Sequence, residues 1–282
     1  MSGAAPSGQA AAPGGRTGPS PAGAGGGAPG LADAVRAEWA KLRTLRTTAV
    51  SLGLTALFAI GLSALACLLT ASHGRQPRTP PTLSIIQGGW ELGLLAIMVL
   101  GVMAVTNEFS SGLIVSTYLA TPRRSRVLIA KVVVFTSVVL VTTEVVSFAD
   151  FFVGHAIIAA YPSFPNVGIS FPNVLRAVVG MGIYTTLLGL VGMGAGAVVK
   201  HTAGGIAACV GFIFILPGVL SALPASWSNP IGKYWPTEAG RQVVLLTHGP
   251  NSLSAWWGTA VLGAFVVALL LAAGYLMDRR DA

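Results

Sequence analysis

Six long apolar stretches, separated by short polar loops, account for nearly all of this 282-residue chain after residue 45. A helix of roughly 20 apolar residues is long enough to cross the hydrocarbon core of a bilayer. The stretches lack the alternating pattern of a barrel strand, so helices are the spanning form that they indicate. We therefore predict an all-α polytopic membrane protein with six transmembrane helices. The predicted spans are 48–70, 87–106, 132–157, 174–199, 205–222 and 256–276.

The charged residues are few, and their placement sets the expected orientation. They make up 9% of the chain, whereas a soluble domain carries about 25%. The net charge is +8, but Lys and Arg are scattered over many loops, which favours anionic membrane lipid over nucleic acid as a partner. Twelve of the 17 Lys and Arg fall on the side of both termini and five on the other side. Both termini of this multi-pass protein are therefore expected to be cytoplasmic.

The segment before the first span falls into two parts. Residues 1–30 are almost entirely Gly, Ala, Pro and Ser, with Arg16 as the sole charge, which is typical of a disordered tail. It has no apolar core like that of a secretory signal, so the first span is expected to act as the insertion signal. Over 31–47, apolar residues recur at helical spacing and predict an interfacial amphipathic helix with Trp39 at headgroup depth. A plain extension of the first span is the alternative, and Glu38 falls on the apolar face.

Two spans have unusual composition. The fourth span is rich in glycine, and Gly192 and Gly196 form a small-xxx-small pair that allows close approach of a neighbouring helix. We interpret this pair as intrachain packing, with a subunit contact or a flexible gate as alternatives. The fifth span is short and contains Pro217, which predicts a kink or a shallow exit from the membrane.

The third span contains three residues that are costly in lipid: Glu144, Asp150 and His155. Glu144 and His155 are three helical turns apart and share a face, whereas Asp150 points elsewhere. Three interpretations stay open. In the first, Glu144 bonds to hydroxyls of the fourth span (Tyr184, Thr185 or Thr186). In the second, Glu144 or Asp150 lines a substrate path at a subunit interface. In the third, the acids form a proton relay.

The sequence contains no motif for catalysis. There is no phosphate-binding Gly-x-x-x-x-Gly-Lys-Ser/Thr loop, because the only Gly-Lys pair, Gly232-Lys233, is followed by Tyr234. There is also no His-Glu-x-x-His pair, and the four histidines are widely spaced. We therefore expect a protein that is not an enzyme, has no metal site and draws energy from a partner or an ion gradient.

The segment from Asn107 to Lys131 is the most specific part of the sequence. Four of its residues form a stripe at helical spacing, namely Phe109, Leu113, Ser116 and Ala120. Pro122 ends this helical pattern just before a basic cluster. A short, stiff helix joined directly to two spans can transmit force. An ordinary positively charged anchoring loop is the alternative interpretation.

Several short motifs occur in a characteristic order from about residue 36 to the end. They are Glu38-Trp39-x-Lys41-Leu42-Arg43; Glu-Phe-x-x-Gly-x-Ile at Glu108 to Ile114, then Leu119, Pro122-Arg123-Arg124 and Lys131; Lys200-His201-Thr202-Ala203-Gly204; Pro236 to Gly240; and Arg280-Asp281-Ala282. With these motifs the chain resembles the permease subunit of a type-2 (exporter) ABC transporter, a family common in bacteria. Lys200 stands where that family usually has Arg.

The resemblance implies a fold and a set of partners. It implies a six-helix permease domain over 48–282 in a bacterial plasma membrane, with a cytoplasmic coupling helix against a separate ABC ATPase subunit. ATP and magnesium would bind in that subunit, and the permease would pair with a second copy or a homologue. Short re-entrant or outward-lying helices are implied within 227–253, where Thr237 is expected to cap a helix through Val243 and Leu246. The implied coupling residues are Glu108, Phe109, Gly112, Leu113, Ile114, Leu119, Pro122, Arg123 and Arg124.

Two other functions compete with an ATP-driven exporter. An ion-coupled secondary transporter would use Glu144, Asp150 and His155, although the two halves of the chain show no convincing internal repeat. A non-transporting membrane scaffold would need no cavity. The substrate, and the choice between homodimer and heterodimer, stay open at this point.

Overall fold

Helices form all the regular structure that the computed structural model describes, which covers residues 30–72, 83, 86–110, 124–161, 168–249 and 252–280. The helices are α1 (Leu31–Thr44), α2 (Arg46–Ser72), α3 (Trp90–Ser110), α4 (Arg124–Ala159), α5 (Val174–Val199), α6 (Thr202–Ser221), α7 (Ala225–Tyr234), α8 (Pro236–Arg241) and α9 (Ala255–Arg280). Apart from Gly30, the predicted tail over 1–30 lies outside the described residues.

Six of these helices, α2 to α6 and α9, are long and apolar enough to cross a membrane. Each overlaps one predicted span, so within the described ranges the prediction of an all-α chain with six helices able to span a membrane is confirmed. The cytoplasmic orientation of the termini and the surface location of α1 stay predictions.

Two helices extend beyond the predicted membrane boundaries. We expected the second span to end at 106 and the third to begin at 132, whereas α3 continues to Ser110 and α4 begins at Arg124. Backbone hydrogen bonds hold a helix together in water as well as in lipid, so the helix end need not coincide with the end of the apolar run. The predicted coupling segment is therefore joined at both ends to rigid helices.

The glycines of α5 allow that helix to occupy the centre of the bundle. α5 packs against α3, α4 and α9. A Cβ on Gly196 would lie 2.9 Å from the carbonyl oxygen of Val102, and a Cβ on Gly192 would collide with the carbonyl oxygen of Met98. The two backbones therefore touch where side chains are absent. The prediction that Gly192 and Gly196 serve intrachain packing is confirmed.

Helix α6 changes its hydrogen-bonding pattern just before Pro217. It runs as an α-helix over Thr202–Val210, as a π-helix over Gly211–Ile215 and again as an α-helix over Leu216–Ser221. The backbone N–H of Leu216 bonds to the carbonyl of Gly211, five residues earlier. Proline removes one N–H from the helical ladder, and a wider turn beside it adjusts the register. The irregularity observed beside Pro217 is thus a π-helical turn, whereas the kink or shallow exit stays a prediction.

The loop between α6 and α9 differs from the expectation for Thr237. The residue before α8, at the N-cap position, is Trp235, and α8 ends at Arg241, so a helix capped by Thr237 and running to Leu246 is wrong. Pro236 supplies the fixed φ that suits the first helical position, which sets the start of α8 two residues earlier than a cap at Thr237 would.

The bundle has two ends that contain different groups. We call the first the α1 end: it contains α1, the starts of α2, α4 and α6, and the last turns of α3 and α5. Contacts between Glu38 and Lys131 and between Thr106 and Thr202 join these elements. We call the second the α8 end: it contains α7, α8 and the starts of α3, α5 and α9.

Candidate functional site

The carboxylate of Glu38 holds α1 against α4 at the α1 end. Its Oε2 accepts a hydrogen bond from Lys131 Nζ at 2.8 Å, and its Oε1 accepts one from Lys41 Nζ at 2.8 Å. Glu38 is 3% exposed and Lys131 is 7% exposed, so the pair is almost completely shielded from water. Glu38 therefore lies on the apolar face of α1 because its partner Lys131 lies on the helix that this face contacts.

The charge state of Glu38 follows from the same two lysines. Burial by itself raises the pKa of this carboxyl, since it penalises the ionised form. The charges of Lys131 and Lys41 and the hydrogen bonds from both ammoniums oppose burial and outweigh it, so the pKa of Glu38 lies below its usual value. Glu38 is consequently ionised at neutral pH.

A cleft of about 380 Å³ opens beside this ion pair, between α1, α2, α3 and α4. Its rim includes Glu38, Lys41 and Lys131, and most of its wall is apolar. Thr48 lines the cleft and is 5% exposed, and its Oγ1 has no hydrogen-bond partner in the described part of the chain. Leu42 of α1 lines the same cleft and is buried in the main core, so apolar packing and the ion pair together attach α1 to the bundle.

Two further contacts join the last turns of α3 to the junction of α5 and α6. Lys200 Nζ lies 5.4 Å from the centroid of the Phe109 ring, within the range of a cation–π interaction. Thr202 Oγ1 donates a hydrogen bond to Thr106 Oγ1 at 2.8 Å. Motif residues that are far apart in the sequence, Phe109, Lys200 and Thr202, are thus neighbours at the α1 end.

Most of the expected coupling residues lie outside the described residues: Gly112, Leu113, Ile114, Leu119, Pro122 and Arg123. Glu108 belongs to α3 and Arg124 to α4, but the structure does not describe their side chains. Phe109 is the member of this set whose side chain is described, and it is half-buried against the main core.

Glu144 lies on α4 against a glycine of α5. A Cβ on Gly182 would lie 2.5 Å from Cδ and Oε1 of Glu144, so the missing side chain makes room for the carboxyl. The expected hydroxyl partners on α5 donate to backbone carbonyls instead: Tyr184, Thr185 and Thr186. Glu144 Oε2 is buried and has no hydrogen-bond partner among the described residues. The first of the three interpretations of Glu144 is therefore wrong.

Asp150 and His155 have different surroundings from Glu144. Asp150 is 1% exposed, and its Oδ2 accepts a hydrogen bond from Trp90 Nε1 at 2.7 Å, while Oδ1 has no partner within the described ranges. The His155 ring stacks on Phe151, with 5.7 Å between the ring centroids. The described side chains contain no group of three His, Cys, Asp or Glu that could hold a metal ion.

Sequence reasoning missed the structural role of Glu38. The acid appeared to be a misfit on an apolar face, because its main partner lies 93 residues further along the chain. The available signal was a pair of unexplained charges: an acid inside an apolar stripe and Lys131 at the mouth of an apolar span. Two such charges at one membrane boundary indicate an ion pair.

Comparison with known proteins identifies no family, since no protein-family model matches the chain and no curated protein matches it.

Proposed function

We propose that this chain is the permease subunit of an ATP-driven ABC exporter, which forms the substrate path and couples to a separate ATPase subunit. The observation that carries the proposal is the convergence of the family-like motifs at the α1 end. Glu38 binds Lys131, and Lys200 lies over Phe109, so four motif residues from distant parts of the chain meet beside the predicted coupling segment.

These contacts suit the transmission of force. The coupling segment is joined to α3 and α4, and Lys131 lies two turns into α4. A push on the segment would reach α1 through the Glu38–Lys131 pair and would reach the α5–α6 junction through Phe109 and Lys200. The spans would then rearrange between two states that differ in their contacts with the ATPase. ATP and magnesium would bind in that partner.

The partner contact can be tested by substitution in the coupling segment. We expect Leu113→Arg to abolish co-purification with the ATPase subunit, because a buried contact with the partner would receive an unpaired charge. The matched control is Asn229→Arg, which adds the same charge to an exposed position on α7 at the other end of the bundle. Membrane insertion should be normal in both variants. Normal co-purification of Leu113→Arg would contradict the proposal.

The orientation of the chain in the membrane can be tested by chemical labelling of intact cells. The two native cysteines, Cys67 and Cys209, are buried and should give little background. Arg123→Cys should react with a membrane-impermeant maleimide only after the cells are broken open, whereas Ser252→Cys at the α8 end should react in intact cells. Labelling of residue 123 in intact cells would place the coupling segment on the wrong side for a cytoplasmic ATPase.

A second candidate, an ion-coupled transporter, is favoured by one specific observation. Glu144 and Asp150 each have a buried carboxyl oxygen without a hydrogen-bond partner in the described part of the chain. A buried acid of this kind can accept a proton during a transport cycle. This candidate predicts transport in vesicles that collapses with an uncoupler, is lost in Glu144→Gln and persists after ATP depletion. The exporter predicts the reverse dependence on ATP.

A further inference from the structure

A cleft of about 360 Å³ lies at the α8 end, between α3, α5, α6 and α8. This volume falls within the range of about 300–1,000 Å³ that is usual for small-molecule sites. Three aromatic residues line the cleft, namely Trp90, Tyr184 and Phe214. Trp90 and Tyr184 are buried, whereas Phe214 is 42% exposed. The lining thus extends from the buried core of the helix bundle to the protein surface.

The charged lining of this cleft is more acidic than basic. It comprises Glu91, Glu238 and Arg241. Arg241 Nη2 lies 3.9 Å from Glu91 Oε1, and both side chains are about half exposed. Glu238 forms no ion pair with the described part of the chain, and the ammonium of Lys233 in the neighbouring cleft lies over the Tyr234 ring. The cleft therefore has a net charge of −1 and one carboxylate without a counterion.

A buried hydroxyl in the same cleft lacks a partner. Thr237 lines the cleft and is 4% exposed, and its Oγ1 has no hydrogen-bond partner among the residues described. The Tyr184 hydroxyl donates to the backbone carbonyl of Thr237 and therefore does not satisfy the Thr237 hydroxyl. A buried polar group without a partner costs about 1–3 kcal/mol, so a ligand that donates to the Thr237 hydroxyl would recover part of that cost.

The π-helical turn of α6 contributes directly to this cleft. Ile213 and Phe214 belong to the π-helical segment and line the cleft. π-helical turns are rare and occur frequently at functional sites, where they change the direction of side chains. In this protein the turn brings an aromatic ring to the same cleft as two carboxylates.

We propose that the α8-end cleft binds an amphipathic organic cation, namely a protonated amine on an aromatic or aliphatic body. The ammonium is held by Glu91 and Glu238 and donates one N–H to Thr237 Oγ1. The apolar body lies against Trp90, Tyr184 and Phe214, where aromatic faces also attract the positive charge. This site lies at the opposite end from the coupling segment and does not depend on an ATPase partner.

Three probes with one aromatic body separate charge from hydrophobicity. They are 2-naphthylmethylammonium, neutral 2-naphthylmethanol and anionic 2-naphthoate, each titrated into the full chain in nanodiscs of zwitterionic lipid and into empty nanodiscs. We expect the cation to bind about tenfold more tightly than the alcohol, which corresponds to about 1.4 kcal/mol, and the anion to bind more weakly than both. Equal binding of the three probes after subtraction of the empty nanodiscs would overturn the proposal.

Substitutions locate the site. Glu238→Gln keeps the size of the side chain and should weaken binding of the cation about tenfold without changing binding of the alcohol. The matched control is Asp33→Asn, which removes a carboxyl of α1 at the opposite end of the bundle and should leave binding of the cation unchanged. Equal losses in the two variants, or no loss in Glu238→Gln, would contradict the site.

The hydrogen bond to Thr237 has its own test. Thr237→Val replaces the hydroxyl by a methyl group of similar size and should weaken binding of the primary ammonium severalfold. It should not weaken binding of the quaternary 2-naphthylmethyl-trimethylammonium, which has no N–H to donate. An equal effect on the two cations would exclude this hydrogen bond. Because the hydroxyl is unpaired in the absence of a ligand, Thr237→Val should not destabilise the fold.

Discussion

At the α1 end Glu38 meets two ammoniums at 2.8 Å each, whereas at the α8 end Glu91 meets Arg241 at 3.9 Å and Glu238 forms no ion pair in the described part of the chain. The first carboxylate is buried and uses both of its oxygens. The carboxylates of the second end are more exposed and are compensated only in part. The two ends therefore place the same residue types in different environments.

The difference has a physical consequence. A buried and fully paired carboxylate fixes the distance between two helices, because separating the partners would leave charges unpaired in a water-poor environment. A partly exposed carboxylate with a distant counterion stabilises little and is available to a ligand. Under the proposed function the α1 end would transmit displacement between helices, and under the proposed binding site the α8 end would recognise a molecule from solution or from the membrane surface.

The largest expected effect comes from removing the lysine of the buried pair. Lys131→Met leaves the Glu38 carboxylate buried with Lys41 as its remaining described partner, and we expect a loss of about 3 kcal/mol in the free energy of unfolding. Denaturant titration of the purified protein, followed by tryptophan fluorescence, measures this loss. Arg36→Met is the control, since Arg36 is 83% exposed in its side chain and pairs with Asp33 at 3.7 Å. It should cost less than about 0.5 kcal/mol, and equal costs for the two variants would remove the distinction between buried and exposed pairs.

The next effect depends on pH. The pKa of Glu38 is depressed in the folded protein, so its contribution to stability is complete above the unfolded value of 4.5 and is lost as the pH falls through the folded value. Glu38→Gln lacks this contribution at every pH. The difference in unfolding free energy between wild type and Glu38→Gln should therefore be constant near neutral pH and should shrink below pH 4.5. A difference that grows in acid would mean that the carboxyl is protonated in the fold.

A double substitution separates the stability of the pair from its mechanical role. Glu38→Leu with Lys131→Met replaces the buried pair by apolar side chains, and we expect an unfolding free energy within about 1 kcal/mol of wild type. Lys41 is 42% exposed in its side chain and can be hydrated. If the pair transmits force between helices, this variant should couple ATP hydrolysis to transport poorly even though its stability is close to that of wild type. Additive losses from the two single substitutions would contradict the expected compensation.

Local features of the sequence predicted the helices but not their partners. The length of each apolar run predicted the six spans, and the spacing of Gly192 and Gly196 predicted a close helix contact, because both are properties of one segment. Glu38 was not explained, because its partner lies on another helix.

The α8-end cleft could not be predicted for a similar reason. Trp90, Tyr184 and Thr237 come from three elements, and their meeting depends on how the six-residue helix α8 packs on α5 and α9. Thr237 in sequence favours a helix cap, since threonine commonly serves that role. The preceding Pro236 takes the first helical position instead, and Thr237 lies beside the cleft with its hydroxyl unpartnered among the described residues.

The smallest effect on stability is expected at the ion pair of the α8 end, and this test distinguishes the two ends of the bundle most sharply. Arg241→Gln removes a half-exposed guanidinium that lies 3.9 Å from Glu91, so we expect a loss of at most about 0.5 kcal/mol in the free energy of unfolding. The same substitution changes the net charge of the cleft from −1 to −2, which should increase its affinity for 2-naphthylmethylammonium severalfold. A stability loss as large as that of Lys131→Met would show that the two ends are built alike. Weaker binding of the cation would contradict the proposed site, because removing a competing positive charge can only favour a cation held by the two carboxylates.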